Sequence, residues 1–171
     1  WDLKCLASGR PLWQEAGGAQ ASVPLYTTEG GWIHLEPLAL VEDALASKAA
    51  GFRGAKMKVG RPHVSEDVAR LHAVRSAVGP GFEIMTDANQ AFTVHEAIRR
   101  ARAYDGLDLA WFEEPLPAED LGGHIRLSES TPIPIAVGES IYHPSHFREY
   151  LQRGACSIVQ ADVARIGGIT P

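Results

Sequence analysis

Five ionisable side chains recur along this chain at a nearly constant interval. Lys58, Asp87, Glu113, Glu139 and Asp162 are 29, 26, 26 and 23 residues apart. Three of them, Asp87, Glu113 and Glu139, are carboxylates, and like charges gathered in one cleft repel and raise each other's pKa. A divalent cation removes that conflict. All-oxygen donors favour a hard ion, and three carboxylates leave coordination positions open to substrate and water. The pattern therefore predicts Mg²⁺, with Mn²⁺ able to substitute. Lys56 and Lys58 flank Met57, and residues two apart on a strand share a face. Two ammonium groups beside a cation should depress a lysine pKa, leaving one of the pair able to act as a base near neutral pH. Asn89 shares a face with Asp87 by the same rule, which predicts a hydrogen-bonding partner beside the metal. Together these groups suit removal of a proton from the carbon next to a carboxylate, with the metal stabilising the enediolate that forms.

The elements that must position these groups are short. Apolar runs at residues 23–26, 55–59, 82–86, 109–112, 133–137 and 157–161 read as buried strands. Amphipathic stretches lie between them. Ser65 is the expected cap of one helix and Ser145 of another, Thr93 with Glu96 forms a capping box, and residues 42–50 form an Ala-rich helix ended by Gly51. Strand and helix alternate, so parallel strands joined by right-handed crossovers are expected. A TIM-type (β/α)8 barrel spends about 30 residues per unit and gathers its catalytic groups at the C-terminal ends of its strands. The spacing predicts six of those eight units here, each consecutive strand bringing one ionisable group to the same rim. Residues 1–21 read as a connector and residues 22–171 as the partial barrel.

Composition excludes other classes. The 171 residues carry 16 Lys and Arg against 21 Asp and Glu, a net charge of −5, with 45% hydrophobic and 22% charged residues. These are ordinary globular values. The acidic balance argues against a nucleic-acid partner, and no apolar run reaches the roughly 18 residues of a membrane span. Two distant cysteines, Cys5 and Cys156, suit a reduced cytoplasmic protein better than a disulfide scaffold. The chain opens on Trp1 in what reads as a helix and closes at Pro171 after a Gly-Gly turn, so a piece of a longer protein is expected.

Five strings carry a resemblance: Lys56-Met57-Lys58-Val59-Gly60, Asp87-Ala88-Asn89-Gln90, Trp111-Phe112-Glu113-Glu114-Pro115, Gly138-Glu139-Ser140, and Asp162 followed by Arg165-Ile166-Gly167-Gly168. Their order and spacing resemble the mandelate racemase branch of the enolase superfamily across nearly the whole chain. The resemblance implies that Lys58 is the base on one face of the substrate. It makes Asp87, Glu113 and Glu139 the Mg²⁺ ligands on strands three, four and five. It also implies that Asp162 on strand six orients a histidine on strand seven, which falls beyond Pro171. A preceding α+β capping domain and strands seven and eight are not in the chain, and an open six-strand arc exposes strand edges.

Within that family, residues 119–124 and Gly138-Glu139-Ser140 are similar to acid-sugar dehydratases. Muconate-lactonizing enzymes generally end strand five with Asp, where this chain has Glu139. Dehydration of an aldonate or aldarate to a 2-keto-3-deoxy acid is the expected reaction. A racemase or epimerase of a 2-hydroxy acid is the alternative on the same scaffold, and a non-catalytic barrel remnant is the alternative of another class. A small carboxylate substrate and a homo-oligomer are implied by the resemblance.

The remaining polar residues divide. Glu114 is expected to support the ligands or the fold. Tyr26 ends the first strand and either lines the pocket or packs in the core. His124 and His143 are candidates for substrate contact, with packing as the competing reading. His34, His63, His72 and His95 are expected at the surface or in packing, and the tryptophans in the core or the connector.

Overall fold

Parallel neighbours require a long crossover between them, and the chain supplies one each time. In the computed structural model, which describes residues 1–171, the strands are β1 (Tyr26–Thr27), β2 (Gly54–Lys58), β3 (Glu83–Asp87), β4 (Leu109–Glu113), β5 (Ile135–Val137) and β6 (Ile158–Val159). They form one sheet in sequence order with every neighbouring pair parallel. Helices α3 (Pro37–Ala49), α4 (Val64–Val78), α5 (Val94–Ala103), α6 (Leu121–Ser128) and α7 (Pro144–Gln152) are the crossovers. Two short helices, α1 (Asp2–Ser8) and α2 (Leu12–Glu15), precede the sheet and bury no residue. No helix is long and apolar enough to cross a membrane.

The expected strands are all present, shifted by a residue or two. The first moves to Tyr26–Thr27, and the last shrinks to two residues. Two expected caps are corrected. His63, not Ser65, caps α4, and Glu66 Oε2 accepts from the His63 N–H at 2.8 Å. His143, not Ser145, caps α7: its Nδ1 accepts from the Ser145 N–H at 3.1 Å. Thr93 caps α5 as expected, its Oγ1 accepting from the Glu96 N–H at 3.3 Å, but the box does not close, because the Glu96 carboxylate accepts from Arg99 and Arg100 instead.

Alternation along β4 separates two environments. Phe112 is fully buried and packs against Phe92 and Tyr104 at ring-centroid distances of 6.2 and 5.8 Å, on the side of α5. Trp111 and Glu113 take the opposite face. There Trp111 meets Tyr26 edge-on, with centroids 5.2 Å apart, although β1 and β4 are separated by two strands. Side chains so far apart in strand order touch only when the sheet curls towards closure, as a barrel wall does. The six strands are an arc of a TIM-type barrel, and its concave face holds the ionisable groups.

Candidate active site

The ladder of main-chain bonds continues past the strand ends and holds the rim. Val59 N donates to Asp87 O at 3.0 Å, Ala88 N to Glu113 O at 3.0 Å, and Glu114 N to Ala136 O at 3.0 Å. Asp87 and Glu113 are register partners, so their carboxylates emerge side by side. Both are almost fully buried, which demands compensating charge.

Lysine supplies it. Lys56 Nζ donates to Glu113 Oε1 at 2.7 Å and lies 3.0 Å from Asp87 Oδ2. Lys58 Nζ donates to Asp87 Oδ2 and to Asn89 Oδ1, both at 2.6 Å. The Asn89 N–H donates to Asp87 Oδ1 at 3.0 Å. Asn89 adopts φ 44°, a left-handed conformation that Asn tolerates better than most residues. Lys56, Lys58, Asp87, Asn89 and Glu113 are thus one connected cluster.

One lysine of the pair is expected to have a depressed pKa, and Lys56 is not that one: it is held above the lysine range. Burial pulls its pKa down, and the hydrogen bond to Glu113 with the charges of Asp87 and Glu113 more than reverses that. At Lys56 mutual ammonium repulsion loses because its amine faces two carboxylates at hydrogen-bond distance. For Asp87, burial works upward, yet the Lys58 bond and the Lys56 charge hold its carboxyl below the usual range.

Glu139 follows β5 in the rim loop, half-buried. No three carboxylate, histidine or cysteine side chains are drawn together tightly enough to ligate one ion, so Glu139 does not complete a ligand group with Asp87 and Glu113. It still acts at a distance. The buried Glu114 carboxyl is pushed up by burial, against a Ser140 hydrogen bond, and further by the charges of Glu139, Asp87 and Glu113. Four carboxylates therefore share one rim with two ammonium groups, a net negative patch of hard oxygens. That donor set fits a divalent cation, and the Lys56 ammonium between two carboxylates already marks a place where positive charge is favoured.

The other predicted residues resolve individually. Glu114 adopts φ 39° and lies 3.4 Å from Gln90 Nε2, which also donates to Ser140 Oγ at 2.8 Å. Tyr26 reaches the site through Trp111, whose Nε1 donates to Glu113 Oε2 at 3.1 Å; Trp111 is thus a site residue and not mere core. Asp162 Oδ1 accepts from the Ala164 and Arg165 N–H groups at 2.8 and 3.0 Å. These two bonds hold its carboxyl below the usual range.

One histidine leaves the list of substrate contacts. His124 is fully buried in α6, with Nδ1 2.9 Å from Asp120 O and 3.1 Å from the Tyr150 hydroxyl. The ring packs between α6 and α7 because α6 starts at Leu121 and turns this position inward. The exposed His143 ring caps α7 through Nδ1. Gln160 was missed: its Nε2 donates to Glu113 Oε2 at 2.9 Å. An amide near the end of the apolar run 157–161 was the available signal.

The family described as Enolase C-terminal domain-like matches residues 39–171. L-talarate/galactarate dehydratase of Salmonella typhimurium is 40% identical over 174 residues, covering 100% of this chain and 43% of that protein. The crystal structure of L-talarate dehydratase from Polaromonas sp. JS666, complexed with Mg and L-glucarate, superposes with a TM-score of 0.94 at 37% identity over 100% of this chain and 48% of that one. A racemase from Streptomyces coelicolor A3(2) with bound magnesium gives 0.93 at 40% identity over 98% of this chain and 47% of that one. The chain spans less than half the length of the curated relatives it matches most strongly.

Proposed function

The chain belongs to the enolase C-terminal domain-like family, and on that premise we propose that it carries the metal site and one base of a Mg²⁺-dependent acid-sugar dehydratase. The observation that carries this reading is the cluster in which Lys58 lies 2.6 Å from Asp87 while Lys56 bridges Asp87 and Glu113.

Asp87, Glu113 and Glu139 would hold Mg²⁺, or Mn²⁺ in its place. Bound there, the cation supplies Lewis-acid stabilisation of negative charge on a substrate carboxylate. Lys58 is the base. Its side chain is 26% exposed against 11% for Lys56, so it is the ammonium-bearing group more open to a substrate. Asn89 and Asp87 aim it, and Lys56 neutralises the buried carboxylates.

With Lys58 as the neutral amine, the α C–H bond breaks, its proton passes to the Nζ lone pair, and the electron pair of the C–H bond enters the enediolate. The β C–O bond then breaks, and hydroxide leaves as water with a proton from an acid group. The enol becomes a 2-keto-3-deoxy acid. In this reading the acid is the histidine expected one strand after Asp162, with Asp162 orienting it. The Salmonella and Polaromonas relatives support a small polyhydroxy carboxylate as substrate. A racemase or epimerase is the second reading, favoured by the Streptomyces relative; there the proton returns to the opposite face and no C–O bond breaks. Residues 1–21 as a connector, a homo-oligomeric state and a cytoplasmic location belong to the same proposal, the last supported by two free cysteines.

Incubation in D₂O with Mg²⁺ and a panel of aldonates and aldarates tests it. The native protein incorporates deuterium at the α-carbon and yields a keto acid, and Lys58→Ala does neither. Full exchange in that variant removes Lys58 as the base. An inverted substrate without keto product selects the racemase reading.

A further inference from the structure

Away from the carboxylates, four polar side chains are buried where charge is expensive: Asp67, Arg70, Arg100 and Tyr104, none more than 3% exposed. Buried ion pairs are poor sources of net stability, so their value lies in what they hold. Arg70 uses its whole fork on main-chain carbonyls. Nη1 donates to Lys58 O at 2.9 Å, Nη2 to Trp32 O at 2.9 Å, and Nε to Leu35 O at 3.3 Å. Asp67 fixes Arg70 Nη1 at 3.1 Å and accepts from the Gly60 N–H at 2.7 Å. Arg100 closes the far side of Asp67.

These bonds converge on Lys58. Its carbonyl is taken by Arg70, its N–H donates to Gly31 O at 2.7 Å, and the backbone two residues on is pinned by Asp67. The loop at residues 30–35 and the end of β2 are therefore one rigid unit with Arg70 at its centre. A flexible side chain such as lysine is aimed only as well as its Cα is held.

We propose that Arg70 is a positioning residue for proton transfer: it locks the Lys58 backbone to the loop at residues 30–35 and thereby sets where the Lys58 amine stands, without touching substrate or metal. The inference rests on Lys58 being the base.

Arg70→Lys keeps the charge but loses the planar fork, and Arg70→Met removes both. In the native protein either change is expected to lower kcat and α-deuterium exchange by about 100-fold, the cost of a misplacement of about 1 Å, with KM and Mg²⁺ affinity unchanged. Amide hydrogen exchange is expected to show protection lost at Lys58 and residues 32–35 and retained in β3 and the rest of α4. An unchanged kcat in folded Arg70→Lys overturns the proposal. So does a parallel fall in kcat, substrate affinity and Mg²⁺ affinity with protection lost throughout, which is general unfolding. If the native protein exchanges no acid-sugar proton, the function reading fails, and the amide-protection pattern alone then decides whether Arg70 holds Lys58.

Discussion

The Lys56 ammonium reaches across the full width of β3 to donate to Glu113, Nζ to Oε1 2.7 Å, and meets Asp87 of β3 on the way at 3.0 Å. One cation thus serves two buried carboxylates, and it is the only ammonium that reaches Glu113. Lys56→Met should cost the metal-free protein about 3–5 kcal/mol, as breaking a buried pair does. Thermal unfolding should show a lowered Tm, and added Mg²⁺ should raise it more than in the native protein, because a ligand that binds only the folded state stabilises it. An unchanged Tm would mean the bridge is dispensable.

Glu113 also accepts from Trp111 and Gln160 through its second oxygen. Glu113→Gln should weaken Mg²⁺ binding in calorimetry, and unchanged affinity would remove Glu113 from the ligand set. Gln160→Leu leaves the carboxylate but frees its orientation. Affinity should then fall by about 10- to 100-fold, the usual effect of losing a group that orients a ligand.

Gly31 lies where the loop after β1 crosses β2. A Cβ there would collide with the Lys56 carbonyl oxygen, and neither backbone can yield without breaking the Lys58 N–H bond to Gly31 O. Gly31→Ala should destabilise by at least about 1–3 kcal/mol, as overpacking does, and should abolish α-proton exchange. An active, equally stable variant in urea titration would contradict this placement of the loop.

Burial pushes the His124 imidazole below the usual histidine range, against a backbone bond to Asp120. Nδ1 faces the Asp120 carbonyl and Nε2 is buried without a partner. The unfolded chain therefore takes up this proton first. Stability is fully present above the unfolded pKa of about 6.5 and is lost as pH falls from there towards the folded value, by at most about 1.4 kcal/mol per unit. Urea unfolding at pH 8 and pH 5.5 should show this loss in the native protein and a smaller one in His124→Gln. Equal slopes would remove His124 as the cause.

Much of the fold was legible because strand ends and carboxylates share a period. Asp87 and Glu113 close β3 and β4 as expected, and α5 starts at its Thr93 cap. The losses have a common cause. His124 and His143 looked alike as rim candidates, but α6 turns one inward and α7 takes the other as its cap, and helix start positions shift by a residue or two without altering the pattern of types. Gln160 offered only its place near the end of an apolar run and Arg70 carried no signal, because an amide or a guanidinium gains a role only from the carbonyl or carboxylate that faces it.

The amino-acid sequence alone determined which residue types arrive at the rim, in what order, and that three carboxylates among them call for a hard cation. That follows from the strand period and from residue chemistry, both local properties. Only the tertiary structure decided who meets whom: that Lys56 bridges Asp87 and Glu113, that both lysines are opposed by acid, and that Arg70 seizes the Lys58 carbonyl. Those contacts depend on the register of β2, β3 and β4 and on the curl that brings Tyr26 against Trp111. Register and curvature come from packing summed over the whole sheet, which no single stretch of sequence encodes.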